Sequence, residues 1–362
     1  MGSKLTKYFI ALSSFLFTNF HTAQAEEAAV QISAEEIIRK EEQAVATSDL
    51  YAYALAQSGD IVQTTLYPTF PSAQSLSIHL CGFSGTAAGS AFYKQSKDSE
   101  LNTQYATLSS GAIFNLDYTS CDWYSLGITA AEQVAKHKDD VSSIFSKHYI
   151  VGINGNVSLF HGRFIVAADT AYSLNKIDLP AVSSLPIEPR NILSDENTNG
   201  DQDAKLVVPA KKKVTPSKNS HTLNTGLAFY FPIQICENLN IAPFISARAQ
   251  TTSEKVTTDV ANYTPNTSVA YPSGFQISYS ILEICVPSLW EAEASIAPVV
   301  RANAYTKDAK ISSYIADAAL LKLSIKNEML WSESVASKVS YRCDISGKSQ
   351  AHCAQAELKY LF

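Results

Sequence analysis

The chain has 362 residues, 46% of them hydrophobic and 17% charged, with 28 Lys and Arg against 34 Asp and Glu. The formal charge of −6 is a mild acidic excess, which argues against nucleic acid as a partner. No stretch beyond the amino end is long and apolar enough for a membrane-spanning helix. A chain that crosses a bilayer on strands needs only alternate residues apolar, so a mean hydropathy near zero leaves that route open.

Residues 1–25 read as a secretory signal peptide. Lys4 and Lys7 give a positive start, Tyr8 to Phe20 is a short apolar run, and Thr22-Ala23-Gln24-Ala25 is an A-x-A-like cleavage site. Export permits disulfides among the six cysteines, Cys81, Cys121, Cys236, Cys285, Cys343 and Cys353. None shows C-x-x-C or zinc spacing, so neither a metal nor another cofactor is expected.

Residues 26–75 form a helical and irregular segment. Ser33-Ala34-Glu35-Glu36 is a capping box, which predicts a helix over about Ala34 to Thr47. Ser48-Asp49 caps a second piece through Ala56. The narrow apolar stripe of Ile37, Ile38 and Val45 fits either a solvated periplasmic helix or a helix inside a polar lumen. Tyr67-Pro68-Thr69-Phe70-Pro71 then breaks regular structure.

From Leu76 to the end the period is two. Apolar and polar residues alternate over Leu76–Leu80, where Gly82, Gly85 and Gly89 then blur the pattern. They alternate again over Ala106–Leu116, Tyr124–Ala130, Tyr149–Leu159, Phe164–Leu174, Leu223–Phe231, Leu239–Ala249 and Phe275–Ile281. Trp290–Ala302, Leu321–Trp331, Val335–Tyr341 and Ala354–Phe362 complete the set. In the last, Ala354, Ala356, Leu358, Tyr360 and Phe362 share one face, opposed by Gln355, Glu357 and Lys359. An aromatic at the carboxyl end of such a strand resembles the closing strand of bacterial outer-membrane β-barrels. The fold class expected for residues 76–362 is therefore all-β, a closed antiparallel transmembrane barrel of about twelve strands preceded by a short helical segment.

Connection lengths agree. Counted back from a periplasmic Phe362, the connections near Ser120-Cys121, Phe160-Gly162, Pro232-Glu237, Val286-Ser288 and Ser332-Ser334 are all short. The alternate ones include Lys176 to Lys218 and Thr252 to Ser273, expected as the two longest. Tyr118, Tyr124, Phe160, Phe164, Phe231, Trp290, Trp331, Tyr360 and Phe362 would form an aromatic girdle at the periplasmic interface.

The polar face is where a function would sit. It carries Arg163, Asp169, Arg248, Glu291, Glu293, Arg301, Lys322, Lys326, Glu328, Lys338, Arg342, Glu357 and Lys359 as lumen-lining charges. Glu293, Lys326, Glu328, Lys338 and Lys359 should lie at similar depth and form a mixed-sign ladder. Mixed signs cancel a net field, which favours structural pairing over a pore that selects solutes by charge. A barrel hydrolase would need a Ser and a His in contact. None of His79, His137, His148, His161, His221 and His352 shows such a partner, so no catalytic residue is assigned. Cys236 and Cys285 sit at neighbouring short turns, and Cys81 and Cys121 belong to the same end. Cys343 and Cys353 flank the last hairpin on opposite faces, so a bridge there requires a bulge. The alternative to internal bridges is linkage to other envelope proteins.

The strand number, the preceding helix and the closing Leu358-x-Tyr360-x-Phe362 pattern resemble an autotransporter translocator domain. The cysteine content resembles that of chlamydia-like outer-membrane proteins. The resemblance implies a location in the outer membrane, contact with its lipid, and insertion by the barrel-assembly machinery through Leu358, Tyr360 and Phe362. It also implies a helix threading the barrel. About fifty residues lie between the signal peptide and the barrel, a departure from that family, in which a passenger precedes the helix. The expected function is a non-enzymatic pore or translocator, or a surface-exposed envelope protein. The alternatives are a solute-selective porin and a barrel hydrolase.

Overall fold

The computed structural model describes residues 34–66, 82–97, 103–120, 123–140, 142–178, 217–254, 266–282, 286–302 and 319–362. The signal-peptide reading, the Tyr67–Pro71 breaker, the Leu76–Leu80 alternation and Cys81, Cys121 and Cys285 lie outside them. The chain divides into two units, Met1–Glu42 and Gln43–Phe362. The first contributes the start of helix α1 (Ala34–Leu66), and the second holds the rest of that helix and the barrel.

Helix α1 is unbroken, where the sequence suggested a break at Ser48 and an end at Ala56. Its last turns contain Gly59 and the β-branched Ile61, Val62, Thr64 and Thr65, which are poor helix formers. They stay helical because side chains there are buried and their hydroxyls are satisfied locally. Ser58 Oγ donates to the Ala54 carbonyl (3.1 Å), and Thr65 Oγ1 to that of Ile61 (2.7 Å). Tertiary packing overrides propensity at this point.

The barrel has twelve strands. They are β1 (Gly82–Lys97), β2 (Gln104–Thr119), β3 (Tyr124–Lys138), β4 (Ser143–Leu159), β5 (Phe164–Asp178) and β6 (Ser217–Tyr230, continued by Ile233–Cys236). Then follow β7 (Leu239–Glu254), β8 (Asn266–Ala270 and Ser273–Ile281), β9 (Ser288–Ala302), β10 (Ala319–Ser332), β11 (Val335–Ile345) and β12 (Ser349–Leu361). Each pairs antiparallel with its neighbours in sequence, and β12 returns to β1 from Ser84↔Leu361 to Ser96↔Ser349, closing the sheet. Closure leaves no edge with unpaired backbone, as a bilayer demands.

Pro232 and Pro272 interrupt β6 and β8 without opening the wall. Phe231 N donates to the Pro243 carbonyl (3.0 Å), and the Pro272 carbonyl accepts from Ser246 N (2.7 Å). A proline lacks a donor but keeps its acceptor. The segment after Pro272 was expected. The one before it was not: Asn266–Ala270 pairs with both β7 and β9 inside what was expected to be the long Thr252–Ser273 loop. That connection shrinks to 255–265, and 303–318 becomes the second longest after 179–216. The first strand also differs. The glycine-blurred stretch after Gly82 is itself β1, in register with β2 over its whole length.

Outward positions are apolar and exposed, as Phe114, Leu126, Ile153, Ile245, Ile296 and Val339 show. Aromatic rings at the short-turn end pack against one another in groups. Tyr118 lies 5.0 Å from Phe83 and 5.9 Å from Tyr124, Phe164 lies 5.1 Å from Phe231, and Tyr360 meets Phe362 at 5.4 Å. At the other end a second girdle uses Tyr–His pairs. Tyr341 Oη is 2.6 Å from His352 Nδ1, His352 stacks on Tyr93, and Tyr172 hydrogen-bonds His221. Phe83 and Tyr93 lie in the two girdles of the same strand. Ten residues at ~3.4 Å each, tilted ~40–45°, give an apolar belt of about 25 Å, the height of an outer-membrane barrel.

Candidate functional site: the barrel lumen

Residues 50–66 of α1 lie inside the barrel. Leu50, Tyr53 and Ala54 are packed with the inward-facing Tyr105, Ile144 and Ile177. Further along, Ile61 meets Phe92, Ala135, Ala351 and Cys353, while Val62 and Leu66 meet Ile150 and Ala171. The helix thus seats on the wall formed by β1–β5 and β12. Gly59 marks its close approach to β7, since a Cβ there would sit 1.5 Å from Gln250 Nε2. Two charged contacts tie helix to wall: Lys94 Nζ to Asp60 Oδ2 (2.5 Å), and Lys218 Nζ over the Tyr51 ring (4.6 Å).

A belt of neutral hydrogen bonds runs from this helix along the wall. Tyr53 stacks on Tyr105 at 4.8 Å, and its Oη lies 3.3 Å from Thr107 Oγ1. Thr107 Oγ1 meets His137 Nδ1 (2.9 Å), His137 Nε2 meets Ser146 Oγ (2.8 Å), and Ser146 Oγ meets His148 Nε2 (2.8 Å). His148 Nδ1 meets Asn175 Oδ1 (2.9 Å), and Asn175 Nδ2 donates to Thr222 Oγ1 (2.9 Å), which touches Thr252 Oγ1 (3.1 Å). With both rings neutral, the direction is determined. Asn175 Oδ1 only accepts, so His148 carries its proton on Nδ1 and accepts from Ser146 on Nε2. Ser146 has no second proton, so His137 donates from Nε2 and accepts from Thr107 on Nδ1. His137, Ser146 and His148 are fully buried. Ser146, His148 and Asn175 have the connectivity of a hydrolytic triad, but they lie inward, sealed within the wall.

The wall of β7–β11 is charged instead. Glu291 and Lys326 face each other in register at 4.0 Å, and Lys338 meets Glu357 of β12 at 3.6 Å. Glu328, Lys338 and Glu357 form one transverse row. Arg342 Nη2 donates to Asp344 Oδ2 (2.8 Å) two residues on, and the buried Lys322 lies opposite Asp344. Glu293 and Lys359 face inward on the same strands, half-buried. Across the lumen Asp169 and Arg248 approach to 3.6 Å. Gly226 stands between them in register, where a Cβ would come within 2.2 Å of Asp169 Oδ1.

One expected lumen charge falls elsewhere, and another is not described. Arg163 sits exposed in the 160–163 turn, because the inward face of β5 begins only at Ile165. The side chain of Arg301 is outside the described residues. Glu291 and Glu357 pair with Lys326 and Lys338 of the expected ladder. Cys343 faces outward and Cys353 inward in an unbulged hairpin, so they form no bridge; Cys236 is a free, exposed thiol. Among the described residues no group of three metal-ligating side chains converges.

No protein-family model matches the chain, and no curated protein does. Solved structures do. The translocator domain of the autotransporter NalP from Neisseria meningitidis superposes with a TM-score of 0.60 at 10% identity, covering 88% of this chain and 99% of that one. The fold is that of an autotransporter translocator domain. The β-domain of the Bordetella autotransporter Brka (TM-score 0.56, 12% identity, 78% and 100% covered) agrees. So does the transport unit of AIDA-I from Escherichia coli (0.56, 11%, 86% and 97%). At such identities the likeness concerns the fold. A closed, even-stranded autotransporter-type barrel with this apolar belt and two aromatic girdles is an outer-membrane protein.

The hydrogen-bonded belt escaped the sequence. Parity put His148, Asn175 and Thr222 on the inward face, but His137, Ser146 and Thr252 fell in stretches expected as connections, and parity carries no depth. Their shared level follows only from the strand register, in which His148 lies opposite Asn175 and Gln133.

Proposed function

We propose that the protein is an autotransporter-type translocator pore of the bacterial outer membrane whose own helix α1 closes the lumen at rest. One observation carries this reading: residues 50–66 fill the barrel interior, with Leu50, Tyr53, Ile61 and Val62 essentially inaccessible to solvent. A solute-selective porin needs a continuous aqueous path, and the helix occupies that path. The paired charges of β9–β12 serve to hold strands together under low dielectric, and confer no net selectivity. Residues 1–25 direct export, and Leu358, Tyr360 and Phe362 present the closing strand to the assembly machinery.

The test is planar-bilayer conductance of the full chain and of a chain lacking residues 26–75. The full chain should conduct rarely, and the shortened one should open a steady ohmic pore. Equal steady conductance from both would mean that the helix does not close the lumen, and the reading would fall.

A further inference from the structure

Charge on the outer surface of the barrel is confined to one sector. Among the described residues, the outward positions of β6–β12 carry no Lys, Arg, Asp or Glu with a described side chain, and β1 and β2 carry only Lys97, at the rim. By contrast β3–β5 present Lys136, Lys138, Lys147 and Lys176 outward, with Glu132 and Asp178. All four lysines sit at the long-connection end. On β4, Lys147 is two residues beyond Tyr149 with the exposed Phe145 further out, and on β5, Lys176 is two residues beyond Leu174, so the cluster lies at the outer margin of the apolar belt.

The arrangement is costly on its own terms. Lys147 and Lys176 are direct cross-strand partners, and like charges directly opposite each other repel. Lys136, whose Nζ stands 5.6 Å over the Phe145 ring, adds a third cation from the next strand. Glu132 and Asp178 are each two residues out of register with Lys147, and neither forms an ion pair with these three lysines among the described residues. At the same height on β11, β12 and β1 the surface is neutral, built from Tyr341, His352 and Tyr93. Interfacial anchoring is thus met elsewhere without charge, and the fold gives no reason to gather three cations here.

We propose that the outward rim of β3–β5 binds the phosphorylated headgroup of an outer-leaflet lipid, with Lys136, Lys147 and Lys176 as its phosphate ligands. Neighbouring strands lie about 4.8 Å apart, so three lysines on three strands span roughly 10 Å, the breadth of a sugar or glycerol headgroup with its phosphates. Ammonium groups suit phosphate as point charges, and the site's position at the end of the belt lets the acyl chains lie along Val134, Tyr149 and Leu174. Charge complementarity and depth together select a lipid over a soluble anion. The site is independent of whether α1 closes the lumen.

Native mass spectrometry of the full chain released from detergent micelles tests this, with bisphosphorylated lipid A, its dephosphorylated form and inorganic phosphate as probes. The intact lipid should be retained and the other two should not. Lys147→Gln/Lys176→Gln should cut retention by roughly ten-fold, as expected for the loss of two charge-assisted contacts. His352→Gln, in the neutral sector, should leave it unchanged. The double variant removes a repulsion, so its unfolding temperature without lipid should equal or exceed that of the parent, which separates lost binding from lost fold. Equal retention by the double variant, equal retention of dephosphorylated lipid, or saturation by inorganic phosphate alone would each overturn the proposal.

Discussion

The two sides of the lumen solve one problem differently. Both must keep polar groups inside a membrane-embedded wall. The β2–β6 side does so with neutral partners, a chain from Thr107 through His137, Ser146, His148 and Asn175 to Thr222. The β9–β12 side does so with ion pairs, Glu291–Lys326, Lys338–Glu357 and Arg342–Asp344. The helix contacts that form its buried clusters fall mainly on β1–β5, on the neutral side, joined by Ala351 and Cys353 of β12, the strand where the two sides meet. The physical reason is desolvation. An apolar helix face laid on neutral, already hydrogen-bonded groups costs little, whereas the same face laid on ions would strip their remaining water. The neutral side is a seat for the helix, and the charged side is a tie between strands.

The largest effect should come from unseating the helix. Tyr53 is fully buried, stacked on Tyr105 and joined to the belt through Thr107. Tyr53→Ala removes that anchor at a cost of about 4 kcal/mol to helix docking, in the range for burying an aromatic and leaving its cavity. Docking weakened that much shifts a closed-to-open ratio by roughly a thousand-fold, so long openings should dominate single-channel records. Barrel unfolding by denaturant should change far less. If conductance stays at the parental level while the barrel loses stability, Tyr53 belongs to the wall and not to the plug.

Much of this contrast was written in the chain, and the limits of what could be read are physical. Alternation from Leu76 onward identified nearly every strand, because a membrane barrel has one lipid face and one wet face throughout. The same alternation placed Glu291, Lys326, Lys338, Arg342 and Glu357 inward. It failed in β1, where the outward side is Gly85, Ala87, Gly89 and Ala91, too small to register as apolar. It failed at Asn266–Ala270, a short segment held by two neighbours and not by its own pattern. The helix beyond Ala56 was hidden because its stability comes from the lumen, which no local window contains.

The ion-pair side should respond as a cycle. Glu291 and Lys326 are both nearly inaccessible, so Lys326→Met removes the cation that faces Glu291 in register, at a cost of about 3 kcal/mol in urea unfolding. Adding Glu291→Gln should recover most of it, bringing the double variant within about 1 kcal/mol of the parent, since a paired charge and a neutral pair of similar volume are nearly equivalent once buried. Channel closure should be untouched in both, because α1 does not form its clusters there. A double variant as unstable as the single one would show that the pair contributes net stability, and the description of that side as a tie formed at little gain would need revision.

Single serines give the finest comparison. Ser146 Oγ serves two buried imidazoles, accepting from His137 Nε2 and donating to His148 Nε2. Ser146→Ala therefore strands two ring nitrogens and should cost about 2 kcal/mol, the penalty for unsatisfied buried polar groups. Ser278 is equally buried on β8, but its hydroxyl has no hydrogen-bond partner among the described residues. Ser278→Ala removes a desolvated hydroxyl that returns nothing, so stability should hold or rise by a few tenths of a kcal/mol. The same substitution at the same burial then differs by about 2 kcal/mol between a hydroxyl inside the neutral network and one outside it. The difference isolates what a completed neutral network is worth inside the wall, separate from helix contact, because neither hydroxyl touches α1 in these pairings.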